Sequence, residues 1–257
     1  MKPEPDETAF EWIRSGRRAR VKRDSPEWKG YVVSHLIPPA FGAYAKVLHP
    51  IGASYEFVDH PLSPAENEIL NIPSCEPLRS FVINRRANPA GERIKWKELA
   101  DLLGVPFAPA ICHEWYRKKM EDPWCWPRLL SGPGEGSLRA EDCKELASVL
   151  EAFTEGQDCF FRYSDIPFYA SRNDGKPKLW RAALSQIMNL PNTGGYLVGP
   201  EYWWPTEKNW CICSEYDLSF TVVAGPGNLI ARLLASQVLE CIEVTPDTRI
   251  DSLAPMP

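Results

Sequence analysis

The chain has 257 residues, with 29 Lys and Arg against 34 Asp and Glu, a formal net charge of −5. Hydrophobic residues make up 44% and charged residues 25%, the composition of a globular protein that can bury a core without disulfide or metal support. The acidic balance speaks against wholesale nucleic-acid binding, which needs a basic face, and no run reaches the roughly 18 apolar residues of a membrane span. Prolines number 25, about twice the usual share, so long ordered connections are expected, and many of the ten tryptophans should pack beneath them.

Residues 1–30 are split by charge. Glu4, Asp6, Glu7 and Glu11 precede Arg14, Arg17, Arg18, Arg20, Lys22 and Arg23. A polar N-terminal arm or short helix is expected, its basic run a solvated face rather than a phosphate site. Residues 31–257 read as one domain. Tyr31 to Leu36 predicts a strand stopped by Pro38 and Pro39, and Tyr44 to His49 a second stopped by Pro50. Residues 51–91 hold five prolines and little periodicity, which predicts a loop-rich insertion around the apolar segment Phe81 to Ile83.

Arg93 to Leu103 predicts a helix, with Trp96, Leu99, Leu102 and Leu103 on one stripe and Gly104 as the C-cap. Residues 105–136 are again loop-rich, with a short helix over Glu114 to Glu121 and packed irregular chain at Trp124, Trp126 and Pro127. Ser137 is a good N-cap for a helix over 138–153, whose buried stripe is Cys143, Leu146, Ala147, Leu150 and Phe153. Cys159 to Tyr163 predicts a strand and Trp180 to Asn189 a short helix ended by Pro191. Gly194 and Gly195 turn before Tyr196 to Val198. Trp210 to Ser214 and Ser219 to Val223 should pair as a hairpin across Glu215, Tyr216 and Asp217. After Gly225-Pro-Gly-Asn228 comes a helix with Leu229, Ile230, Leu233 and Leu234 on one face, then a strand over Leu239 to Val244. Without regular alternation of strand and helix, the expected class is α+β: a mixed, mostly antiparallel sheet with flanking helices and long proline-rich loops. Residues 219–244 are the exception, close enough to form one βαβ unit.

The cysteines are Cys75, Cys112, Cys125, Cys143, Cys159, Cys211, Cys213 and Cys241. The opening MKPEPDETAF is acidic and proline-bearing, unlike a secretory leader, so free thiols in a reducing cytoplasm are expected. A zinc site needs two close Cys or His pairs with a short spacer. Cys112–His113 and Cys211-x-Cys213 lack it, and two cysteines on one strand face suit a sheet core, so no metal and no cofactor are expected. A cysteine nucleophile needs a base beside it, and nothing selects among His35, His49, His60 and His113. There is neither a Gly-x-Ser-x-Gly elbow nor a His-Glu-x-x-His helix, so no catalytic residue is assigned. The loops Gly132 to Gly136 and Gly225 to Gly227 precede helices, where anions bind well, but they match no phosphate fingerprint and read as tight capped turns.

One constellation points to binding. Tyr202, Trp203, Trp204 and Trp210 lie close in sequence to Glu201, Glu215 and Asp217. Flat aromatic surface edged by carboxylates is hot-spot chemistry, although tryptophans that fill the core, with Asp217 capping a turn, produce the same sequence. Alternation places Trp210 and Ile212 on one face and Cys211 and Cys213 on the other. Both faces are apolar, as in a strand covered on both sides. The carboxylates should then lie at the sheet rim, with Trp203 and Trp204 covering the sheet's end, and if that rim is a binding site Glu215→Ala should leave the melting temperature unchanged.

The segment PEYWWPTEKNWCICSEYDLSFTVVAGPGNLIARLL, followed by LECIEVTPDTRID, resembles a family of uncharacterised bacterial proteins. The C-terminal halves of that family run Trp-Trp-Pro, a tryptophan strand, an acidic turn, a threonine strand, a glycine turn and a helix. LIPPAFGAYAKVLHPI and the helix in RIKWKELADLLG resemble the family's opening, and residues 51–91 look like an insertion relative to shorter members. The resemblance implies membership but no activity and no catalytic residue. The element order is also similar to the SUKH immunity-protein fold, in which a mixed sheet with flanking helices binds a toxin. The expected function is therefore a cytoplasmic, non-enzymatic protein-binding module, immunity- or chaperone-like, with another protein as partner. The alternative is a small-molecule enzyme with a Cys/His or carboxylate site.

Overall fold

The computed structural model describes residues 2–4, 7–55, 76–86, 93–119, 129–136, 138–163, 178–189 and 199–257. In chain order the strands are β1 (Lys2–Pro3), β2 (Ala43–Leu48), β3 (Ile51–Ala53), β4 (Arg93–Ile94), β5 (Leu130–Ser131), β6 (Asp158–Tyr163), β7 (Lys178–Ala183), β8 (Tyr202–Pro205), β9 (Cys211–Cys213), β10 (Phe220–Gly225) and β11 (Glu240–Val244). The helices are α1 (Glu11–Gly16), α2 (Glu76–Arg85), α3 (Trp96–Leu103), α4 (His113–Lys119), α5 (Ala140–Thr154) and α6 (Gly227–Leu234), with 3-10 turns at Thr8–Phe10, Val33–His35 and Leu184–Asn189. The α+β expectation holds. The chain clusters into two compact units: Met1–His49 with Glu135–Asp251, and Pro50–Gly134 with Ser252–Pro257.

The first unit is built on an eight-stranded sheet in the order β1-β7-β6-β8-β9-β10-β2-β11, every neighbouring pair antiparallel. Register brings Phe161, Trp203, Ile212, Val223 and Ala45 into one row across its centre. These side chains pack with Leu146, Val149 and Leu150 of α5 and with Leu229, Ile230 and Leu233 of α6. The next row, Tyr202, Cys213, Val222 and Lys46, points the other way. That second face is covered by the N-terminal segment: the Phe10 ring lies 4.9 Å from Tyr202 and the Trp12 ring 6.2 Å from Trp204. Two covered faces explain why β9 and β10 are apolar without alternation. Strands β10 and β11 both run antiparallel to β2, which lies between them, so the expected βαβ unit occurs in split form, with α6 as its crossover.

Several expectations are corrected. Tyr31 to Leu36 is no strand: Val32 makes a single bridge to Arg249, and Val33–His35 closes into a 3-10 turn because the His35 side chain takes the Val32 N–H that a ladder would have used. Trp180 to Ala183 is strand rather than helix, since pairing with β6 overrides local preference, and only Leu184–Asn189 turns. Leu234 leaves the buried stripe of α6 and is 39% exposed. Helix α5 starts at Ala140, two residues after the expected start at 138, and the expected cap, Ser137, lies outside the described residues. The segment Phe81 to Ile83 lies within α2, where Leu78 and Val82 are buried, so the expected insertion holds regular structure. The N-terminal segment adds β1 to the sheet edge, and Phe10 and Ile13 are core residues.

The second unit holds a three-stranded antiparallel sheet, β4-β3-β5. Helix α3 buries Trp96, Leu99 and Ala100 and ends at Gly104, whose φ of 63° is the left-handed cap predicted for it. Helix α4 docks through Tyr116, which donates to the Trp96 carbonyl at 2.7 Å, and Trp115, which donates to the Ala254 carbonyl at 3.0 Å. Expectations for His60, Cys75, Trp124, Cys125, Trp126, Pro127, Pro191, Gly194, Gly195 and Tyr196 to Val198 fall outside the described residues. No described helix is long and apolar enough to cross a membrane.

Candidate functional site

The aromatic members of the predicted cluster are core. Tyr202, Trp203, Trp204 and Trp210 are all at most 2% exposed. Trp203 and Trp204 sit on opposite faces of β8, in the middle of the sheet rather than at its end. Trp203 meets Trp210 edge-to-face at 6.2 Å, while Trp204 stacks on Phe160 at 5.4 Å. These four aromatics offer no surface to a partner.

The carboxylates do reach the rim, but two of the three are held there by arginines that sequence reasoning passed over. Arg162, on β6, pairs with Glu201 and with Glu7 and covers the Phe10 ring at 4.4 Å. Arg20 pairs with Glu215 at 2.6 Å, leaving that carboxylate 18% exposed, so Glu215 is part of the fold's electrostatics and not a spectator. Arg17 donates to the Tyr202 hydroxyl at 2.8 Å, and that hydroxyl donates to the Leu36 carbonyl at 3.1 Å. Burial, with the Cys213 thiol and Glu201 nearby, holds the phenol pKa of Tyr202 well above its ordinary value. Arg14 pairs with Glu7 and Glu11, Arg18 with Asp247, and Arg23 lies over the Trp28 ring. The basic run is solvent-exposed as expected, with Arg14, Arg18, Arg20, Lys22 and Arg23 all exposed, and several of its arginines also carry ion pairs at the surface. The alternation of DCFFRY carried one usable signal, since it sets Arg162 opposite Phe161 and Tyr163 on a strand apolar on both faces.

The exposed part of the cluster is the hairpin turn. Tyr216 is 38% exposed, and Asp217 faces solvent beside it. The neighbouring Asp217 carboxylate raises the Tyr216 phenol pKa. Beneath them the backbone is fixed: Leu218 N–H donates to the Glu215 carbonyl at 3.0 Å, Gly136 N–H to the Leu218 carbonyl at 3.0 Å, and Ser214 N–H to the Glu201 carbonyl at 2.8 Å. Gly136 has φ of 67°, and a Cβ there would come within 2.5 Å of the Tyr216 Cα. The glycine-rich loop serves this close approach.

Nucleophile chemistry finds little support. The six described cysteines are free thiols. Burial pushes Cys143 up to about 11 and Cys159 and Cys241 up to about 12, and drives Cys211 and Cys213 further in the same direction. Those five should label with a maleimide at neutral pH only as fast as the chain opens. One of them reacting as fast as a free thiol would restore the nucleophile reading. Ser214 Oγ lies 2.6 Å from Thr221 Oγ1, which lies 3.0 Å from His49 Nε2; all three residues are buried, a chain of mutual bonds that satisfies these core groups. In the second unit the Glu114 carboxylate lies 2.7 Å from His113 Nε2. Burial raises the Glu114 pKa, but the His113 bond and charge outweigh it and the net shift is downward. Among the described residues no three His, Cys, Asp or Glu are placed to hold a metal. Compared with known proteins, the chain matches no family model, no curated protein and no solved structure.

Proposed function

We propose that the first unit is a non-enzymatic protein-binding module that engages another protein through the turn Glu215–Tyr216–Asp217, in the manner of an immunity protein or a chaperone. The observation that carries this is an exposed tyrosine and carboxylate on a backbone held by three hydrogen bonds and a glycine contact. Tyrosine supplies contact area at a low entropy cost, the carboxylate selects a basic or donor-rich recess, and a preformed turn keeps the ordering cost of association low. The raised thiol pKa values disfavour the Cys-based enzyme. A bacterial cytoplasm is the setting this reading expects, consistent with the free thiols. Nucleic acid is disfavoured as a partner because the arginines that would meet phosphate are engaged internally.

The test is a photo-crosslinking residue placed at Leu218, followed by titration of the captured protein in purified form. Tyr216→Ala and Asp217→Ala should each weaken that complex by about tenfold to a hundredfold with little change in Tm. A captured partner whose affinity is unchanged in both variants would remove the turn from the interface.

A further inference from the structure

We propose that His35 is an acid-sensitive latch: protonation of its ring frees residues 17–35 from the sheet rim while the sheet itself stays folded. The geometry sets the chemistry. His35 Nδ1 accepts the Val32 N–H at 2.9 Å, so it must be unprotonated in the closed form. The ring is 6% exposed. A proton on Nδ1 turns that acceptor into a donor facing another donor.

The charged surroundings oppose the imidazolium. Arg18 and Arg20, in the strap formed by residues 17–35, both oppose a charge on the ring, and their carboxylates, Asp247 and Glu215, are already engaged with them. Tyr31 meets the ring edge-on at 5.8 Å, and Asp251 is occupied by Arg249 and by the Tyr31 N–H. Desolvation first, then Arg18 and Arg20, hold the histidine below its ordinary value of 6.5. The sign follows. With a depressed folded pKa, the closed form keeps its full advantage above pH 6.5 and loses it as the pH falls below that value.

The segment that would open is held by its own set of bonds. Val33 N–H donates to the Thr248 carbonyl, Ser34 N–H to the Pro246 carbonyl, Arg18 N–H to the Ser34 carbonyl and Ile250 N–H to the Tyr31 carbonyl. None belongs to the ladders of β2, β10 or β11, so these bonds can break without unzipping the sheet. Release would also free the Arg17 contact to Tyr202 and the Arg20 contact to Glu215.

The test follows amide hydrogen exchange in the intact chain between pH 7.5 and 5, corrected for the intrinsic pH dependence, alongside NMR titration of the His35 ring. Exchange at Arg18, Val33, Ser34 and Ile250 should rise below pH 6.5 by up to about tenfold per pH unit, the slope of a one-proton uptake, while Val222 and Val47 amides stay protected. The variant His35→Asn keeps an acceptor near the Nδ1 position and cannot titrate there, so its strap should exchange without that pH dependence. Strap exchange that stays flat as His35 titrates, or that rises only in step with Val222 and Val47, would overturn the latch. So would a His35→Asn variant with the parent's pH profile.

Discussion

Replacing Trp203 with alanine should destabilise the first unit by about 3 to 5 kcal/mol, read as a fall in the denaturation midpoint at unchanged m-value. The side chain is 2% exposed, sits in the central row between Phe161 and Ile212, and forms an edge-to-face pair with Trp210. Little nearby can collapse into the space it would leave, since its neighbours are strand residues fixed on both sides. Trp210→Ala should fall in the same range, and the two variants should be non-additive by about 0.5 to 1.5 kcal/mol, the share that belongs to the ring pair. Trp210→Phe provides the sharper comparison. The Trp210 Nε1 is buried with no hydrogen-bond partner among the described residues, so phenylalanine loses volume but also removes an unsatisfied donor. It should cost clearly less than Trp210→Ala. A Trp203→Ala variant costing under about 1 kcal/mol would mean that this ring is not enclosed as described.

Arg162→Met should cost about 2 to 4 kcal/mol, a large effect for a residue at the rim of the sheet. The guanidinium is 11% exposed, and its removal takes away the cation shared by Glu7 and Glu201, 20% and 17% exposed, leaving Glu7 only its more exposed pair with Arg14. Methionine retains the packing over Phe10, so the loss reports charge rather than volume. Adding Glu7→Gln and Glu201→Gln to Arg162→Met should recover most of the stability, because an ion cluster removed as a whole costs far less than one partner removed alone. The measurement is chemical denaturation of the single and triple variants. If the triple variant is no more stable than Arg162→Met, the stranded carboxylates are not the cause of the loss.

These two residues also show how much could be read in advance. The hairpin over 210–223, the helix with Trp96 and Gly104, the strand at Cys159 and the buried stripe of α5 were legible, since each rests on periodicity or on a capping residue acting within a few positions. The 3-10 turn at Val33–His35 and the strand at Trp180 were not. Their local apolar patterns suit more than one state: in the first, the His35 side chain takes the Val32 N–H while distant Thr248 takes the Val33 N–H, and in the second, β6 decides. The candidate site divided in the same way. Sequence brought Tyr202, Trp203, Trp204, Trp210, Glu201, Glu215 and Asp217 together, yet proximity along the chain did not separate ring from rim.

By itself the sequence determined the α+β class, the apolar character of β9 and β10 on both faces, and the position of an acidic turn between them, because alternation and turn chemistry are local properties of the backbone. Only the tertiary structure decided what covers the second face and what the charges do. Phe10, Ile13 and the arginines of 14–23 lie nearly two hundred residues from Tyr202 and Glu215, and no local rule links them. Burial and ion pairing depend on which segments meet in space. A basic run can face solvent and still pair with carboxylates far along the chain, and a cluster of tryptophans is settled as core only when something is found lying on top of it.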